Sequence, residues 1–213
     1  ICRTRSLRGV WSLSKRLSGP SRTGDPRLSP ESNTFMKSKK EPLLFLEAIS
    51  FAARAHDRQT RRDGVTPYVS HVFRVAMTLR HVFKVENEKI LAAAILPDVI
   101  EDCPVDYDEL KSKFGPDIAL WVRFVSKDKR MQEKPREKAY CEQLRNAPIP
   151  AKLIKLADMH DNLLDAGKTK KGKKRKIYRR AQEWIRIFEE QRSLRLRRPI
   201  RLVKRLLQRK VPH

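Results

Sequence analysis

Cysteine and glycine are scarce in this 213-residue chain, and acidic side chains are heavily outnumbered. Three cysteines, Cys2, Cys103 and Cys141, lie too far apart for a disulfide framework or a zinc cluster. Seven glycines and 13 prolines are too few for a collagenous chain. No apolar run approaches the ~18 residues of a membrane-spanning helix. No apolar stretch follows the first basic residues, so a secretory signal is not expected there. Sustained strand alternation is missing throughout. Against these shortages stand 39% apolar residues, enough for one core, and a formal charge of +24.

The charge sits at the ends. Residues 1–35 carry 7 Lys/Arg and 2 Asp/Glu, residues 36–167 carry 23 and 20, and residues 168–213 carry 19 and 3. The middle is therefore a nearly balanced globular segment with basic appendages. Residues 1–35, rich in Ser, Arg, Pro and Gly, read as a disordered basic arm. Met36 directly precedes the first strong apolar pattern and reads as the start. The acid-poor arm also has the composition of an organellar targeting peptide, a minor alternative to a cytoplasmic location.

From Leu43 the pattern is helical. Leu43 to Leu46, Ile49 and Phe51 to Ala53 form one apolar face, and Val72, Val75, Ala76, Leu79 and Val82 another. Ile90 to Ile100 is almost continuously apolar and reads as one helix buried on most sides. Asp106 and Glu109 resemble a capping box, Gly115-Pro116 separates two helices, and Pro150 opens a helix through Leu164. The expectation is an all-α core of six or seven helices. A basic linker, Lys168 to Lys176, and one or two basic amphipathic helices follow it.

Three clusters hold groups that a solvated surface does not need, and a basic loop adds a fourth. They are Tyr68-Val-Ser-His71; Pro97-Asp98-Val-Ile-Glu101-Asp102; Lys155-Leu-Ala-Asp158 through Asn162; and the loop Gln59-Thr-Arg61-Arg62-Asp63-Gly64. Asp98, Glu101 and Asp102 share one helix face at i, i+3 and i+4, as do Lys155, Asp158 and Asn162. Carboxylates gathered around one pocket raise each other's pKa and strain the fold unless a cation joins them. Mixed imidazole and carboxylate ligands suit Mn²⁺ or a similar divalent ion. The competing reading of each segment alone is a solvated helix end.

In this order and spacing, the blocks resemble the hydrolase domain of Rel/Spo-type enzymes, all-helical HD-superfamily phosphohydrolases acting on (p)ppGpp. The similarity covers roughly residues 41–167 and includes Thr66-Pro67-Tyr68. The resemblance implies metal ligands at His71, Asp98 and Asp158. It implies Glu101 and Asp102 as the acidic pair that orients and activates water. Arg61, Arg62, Tyr68, Lys155 and Asn162 fall at positions that hold the nucleotide. The implied reaction is hydrolysis of the ribose 3′-pyrophosphate to GDP or GTP and pyrophosphate.

One position departs from the pattern. The family's His-Asp pair reads Pro97-Asp98, so one of four protein ligands is missing. A proline inside a helix also removes a hydrogen bond and costs about 3 kcal/mol. Neither His160, about 200° round the helix from Asp158, nor His56 or His81 is placed to replace it. The alternative is a catalytically degenerate HD-domain nucleotide-binding protein, associated with RNA through its tail. Residues 168–213 are basic enough to contact nucleic acid without sequence preference.

Overall fold

A computed structural model describes residues 41–61, 63–169 and 171–209. The arm at 1–35, Met36 and Arg62 lie outside the described residues. Eight α-helices fill residues 41–165: α1 (Glu41–Ala55), α2 (Val69–Met77), α3 (Glu88–Ile95), α4 (Pro97–Asp102), α5 (Tyr107–Phe114), α6 (Pro116–Val125), α7 (Glu133–Asn146) and α8 (Ile149–Asp165). Two more follow, α9 (Lys171–Glu189) and α10 (Leu194–Arg209). Among the described residues there is no strand, only an isolated bridge between Thr60 and Pro67. No helix of the described residues is long and apolar enough to cross a membrane.

Local chemistry explains most boundaries. Asn87 caps α3 by accepting from the Ile90 amide, and Asp106 caps α5 by accepting from the Glu109 amide. Gly115, with φ +86°, makes the turn into α6, and Pro116 occupies its first turn. The expected helix from Ile90 to Ile100 is in fact two. It breaks at Leu96, and Pro97 begins α4, where the absent N–H needs no intrahelical partner. The interior penalty expected for Pro97 therefore does not arise, and the break raises the core from seven helices to eight. The basic linker is also shorter than expected. Lysine and arginine are good helix formers, and α9 is already helical from Lys171.

The central element is α8, buried from Ala151 through Ala157 and packed against α2, α6 and α10. One hydrophobic cluster runs through the protein, from Ala48 of α1 to Leu207 of α10, with Trp184 and Phe188 of α9 inside it. Lys152 of α8 is fully buried within it; its ammonium donates to the Arg145 carbonyl at 2.8 Å and lies 6.0 Å from the Phe188 ring centre. Burial pulls its pKa down to about 8. Between about pH 8 and the ordinary lysine range, the unfolded chain thus binds more protons than the folded one. Stability from this residue consequently rises with pH in that window. Thermal melts from pH 7 to 10 should show the wild type gaining on Lys152→Met as pH increases. A constant difference between the two would contradict the assignment.

Candidate active site

A short loop and three helices bring the clusters together. The loop from Gln59 to Tyr68 is closed by Arg61 N–H donating to the Thr66 carbonyl (2.7 Å) and Tyr68 N–H to the Gln59 carbonyl (2.8 Å). Gly64 turns it with φ +74°, and the Asp63 carboxylate accepts from the Thr66 amide and hydroxyl. The loop delivers Tyr68 to the mouth of α2, three residues before His71. Asp98, Glu101 and Asp102 come from α4, and Lys155, Asp158 and Asn162 from α8.

His71 is the hub and is 3% exposed. Its Nε2 lies 3.3 Å from Asp158 Oδ1 and 3.8 Å from Asp98 Oδ2. Its Nδ1 lies 2.6 Å from Asp161 Oδ2. Burial opposes the imidazolium, but the Asp158 and Asp161 hydrogen bonds outweigh it and lift His71 to about 9. Asp158 moves the opposite way. Burial disfavours its carboxylate, yet Lys155 and His71 hold it well below the usual carboxylate range.

Taken one at a time, the His71 Nε2 distances to Asp98 and to Asp158 fall in the ~3–4 Å range that bonds of about 2.1 Å to a common ion impose on neighbouring donors. Among the described residues, the group whose ligand atoms all lie within 4.8 Å of one another is Asp98, Glu101 and Asp102 rather than His71, Asp98 and Asp158. A metal-bound histidine also needs its second nitrogen tied to a carboxylate, which Asp161 supplies. His71, Pro97, Asp98, Glu101, Lys155 and Asp158 line a cavity of ≈ 40 Å³. The Pro97 side chain contributes no donor to that wall.

The acidic pair stands beside them. Asp98, Glu101 and Asp102 each place a carboxylate oxygen within 4.8 Å of the others. Burial, reinforced by Asp98, pushes Glu101 up to about 7. The Lys127 amide donates to Glu101 Oε1 at 2.9 Å and fixes its direction. Asp102 is more exposed and pairs with Lys129.

The residues expected to hold a nucleotide are turned largely onto the carboxylates. Tyr68 Oη donates to Asp98 Oδ2 at 3.0 Å. Lys155 Nζ lies 2.7 Å from Asp158 Oδ2, and Asn162 Nδ2 donates to Asp158 Oδ1 at 2.5 Å. Arg61 is clamped to Asp165 at 2.9 Å and lies 5.7 Å from the centre of the Tyr68 ring. Of the other histidines, His56 is buried beside Tyr68, His81 is exposed, and His160 packs edge-on to Phe83.

Sequence reasoning missed the residues that hold the site from outside. Asp161 accepts from Arg74 as well as binding His71. Its signal was available, a second aspartate three residues after Asp158, but its partner lies 90 residues away. Beneath the site, Lys155 Nζ lies 4.3 Å from the Trp184 ring centre and 5.4 Å from that of Tyr140. Nothing in the pattern around Trp184 distinguishes this contact from ordinary core packing.

Residues 48–190 match the family described as the HD domain. The chain is 39% identical over 122 residues to the guanosine-3′,5′-bis(diphosphate) 3′-pyrophosphohydrolase MESH1 of Drosophila melanogaster, a match covering 57% of this chain and 68% of that protein. It is 38% identical over 126 residues to the MESH1 of Homo sapiens, covering 59% and 70% respectively. A solved structure described as a metazoan ortholog of SpoT that hydrolyzes ppGpp superposes with a TM-score of 0.71 at 28% identity. That superposition covers 78% of this chain and 95% of the other.

Proposed function

The chain belongs to the HD-domain family, and from that premise we propose that it is a metal-dependent phosphohydrolase acting on guanosine tetra- or pentaphosphate. Water attacks the 3′-pyrophosphate, the bond to the ribose 3′-oxygen breaks, and GDP or GTP and pyrophosphate are released. One observation carries the reading: His71 Nε2 faces Asp98 and Asp158 within 3.8 Å while Asp161 secures its other nitrogen.

His71, Asp98 and Asp158 would hold the ion, and a mixed imidazole and carboxylate set favours Mn²⁺. Such an ion polarises a phosphoryl oxygen and makes water a better nucleophile. The chain supplies the rest. Glu101, directed by the Lys127 amide, and Asp102 orient the attacking water and take its proton. Lys155 anchors Asp158 and brings positive charge to the cavity where the phosphates enter. Tyr68 and Asn162 keep Asp98 and Asp158 aimed, and Arg61 and Arg62 meet the nucleotide from the loop. All of these residues fall within 36–167, which we take as the catalytic unit, with 168–213 as its extension. We place the reaction in the cytoplasm, which fractionation of cells expressing the full chain can check.

The missing ligand at Pro97 favours a second reading, a nucleotide-binding relative without turnover, held to RNA through residues 168–213. Purified protein separates the two. With ppGpp and Mn²⁺ it should release pyrophosphate; EDTA should stop the release, and added Mn²⁺ should restore it. Chelation should also lower the melting temperature, because an ion bound only by the folded state stabilises it. Nucleotide binding without release supports the second reading, and neither binding nor release defeats both.

A further inference from the structure

The two faces of α10 are sharply divided. Leu196, Ile200, Val203 and Leu207 recur at spacings of four, three and four, and all are buried, with α10 packed against α8. Most of the remaining positions are basic, the exceptions being Leu194, Pro199, Leu202, Leu206 and Gln208. Leu194–Arg209 contains six arginines, one lysine and no acidic residue.

Between this basic face and the end of α9 lies a groove of ≈ 580 Å³. Arg192, Arg197, Arg201, Lys204 and Arg205 line it, and Glu189 is the one acid in its wall. Glu189 is already engaged by Lys204 at 2.5 Å. Arg192 joins the two helices with φ +52°, an uncommon conformation for a side chain with a Cβ, and donates its amide to the Glu189 carbonyl at 3.0 Å. Among the described residues, the four guanidinium groups have no carboxylate partner, and all four residues are exposed.

We propose that this groove binds the phosphate backbone of nucleic acid without sequence preference. Arg197, Arg201 and Arg205 stand one turn apart, in a row about 12 Å long. Duplex nucleic acid presents a phosphate about every 1.7 Å of its axis, so the row faces several charges at once. Arginine dominates the lining, and its planar fork matches paired phosphate oxygens. The geometry disfavours a lipid surface. A helix lying in a membrane interface needs an exposed apolar face, and apart from Leu194 the apolar residues of α10 are buried or partly buried. Base readout is also disfavoured, because Phe188, the aromatic residue in the lining, is fully buried. The inference is independent of turnover at His71.

The test uses the full chain with fluorescently labelled 20-base-pair RNA and DNA duplexes, followed by anisotropy from 50 to 200 mM salt. Four cations in contact predict a slope of log affinity against log salt of about −3 to −4 for each duplex. Reversing three charges, Arg197→Glu, Arg201→Glu and Arg205→Glu together, should weaken binding at least tenfold, on the order expected for lost phosphate contacts. Pyrophosphate release and melting temperature should be retained. A control reverses three exposed charges outside the groove, Lys171→Glu, Lys173→Glu and Arg175→Glu. Equal loss in the control, or wild-type binding by the groove variant, overturns the proposal. So does tighter binding to phosphatidylserine vesicles that the groove variant abolishes.

Discussion

Asp98→Ala should reduce pyrophosphate release on the order of 10³-fold, equivalent to ~4 kcal/mol of barrier, while leaving the protein folded. The carboxylate sits in the first turn of α4 and is 22% exposed, so its loss opens no large cavity. It leaves the Tyr68 hydroxyl without its acceptor, at a cost of about 1 kcal/mol. That cost is offset in part by relief of repulsion among Asp98, Glu101 and Asp102. Catalytically the change is severe. It reduces the three proposed protein ligands to two, and metal binding should fall with the activity. Asp158→Ala is a poorer probe, because it strands the buried Lys155 ammonium, a type of change that costs ~3–5 kcal/mol. The measurements are steady-state release, metal content and a thermal melt of the same preparation. Full activity in a metal-loaded Asp98→Ala protein would remove Asp98 from the ligand set.

Pro97→His should raise metal affinity or activity at least tenfold, about 1.4 kcal/mol. The structure makes the substitution mild for the backbone. Pro97 opens α4, so a histidine adds an N–H where the helix requires no internal acceptor. The Pro97 carbonyl, which accepts from Ser126 Oγ at 3.1 Å, is untouched. Position 97 already borders the cavity shared by His71 and Asp98, so a new imidazole would face the proposed metal site. Chelator competition measures the affinity, and pyrophosphate release from ppGpp measures the consequence. An unchanged variant shows that the absent imidazole does not limit the site.

Helical periodicity and turn chemistry made most of the fold readable from the chain. The faces around Leu43 and Val72, the cap at Asp106 and the break at Gly115-Pro116 are local features, set by neighbours within four residues. Pro97 was harder, because a proline in an apolar run fits either a kinked helix or a new one. The structure ends α3 at Ile95 and begins α4 at Pro97, so it is a new helix. The site was legible as three clusters because each keeps its own spacing on a helix. The bonds that set their chemistry were not. Asp161 on His71, Arg61 on Asp165 and Trp184 beneath Lys155 join residues 29 to 104 positions apart.

Residue order and spacing alone were therefore enough for an all-helical core, its family resemblance and the three polar clusters that meet in it, though not for Asp161 and Arg74, which hold them. Which nitrogen of His71 faces the carboxylates, which acids are desolvated and which arginines of the extension stay unpaired depended on three-dimensional packing. The physical reason is range. Helix formation is governed by nearby residues, whereas burial and ion pairing depend on groups brought close by the chain's return through space.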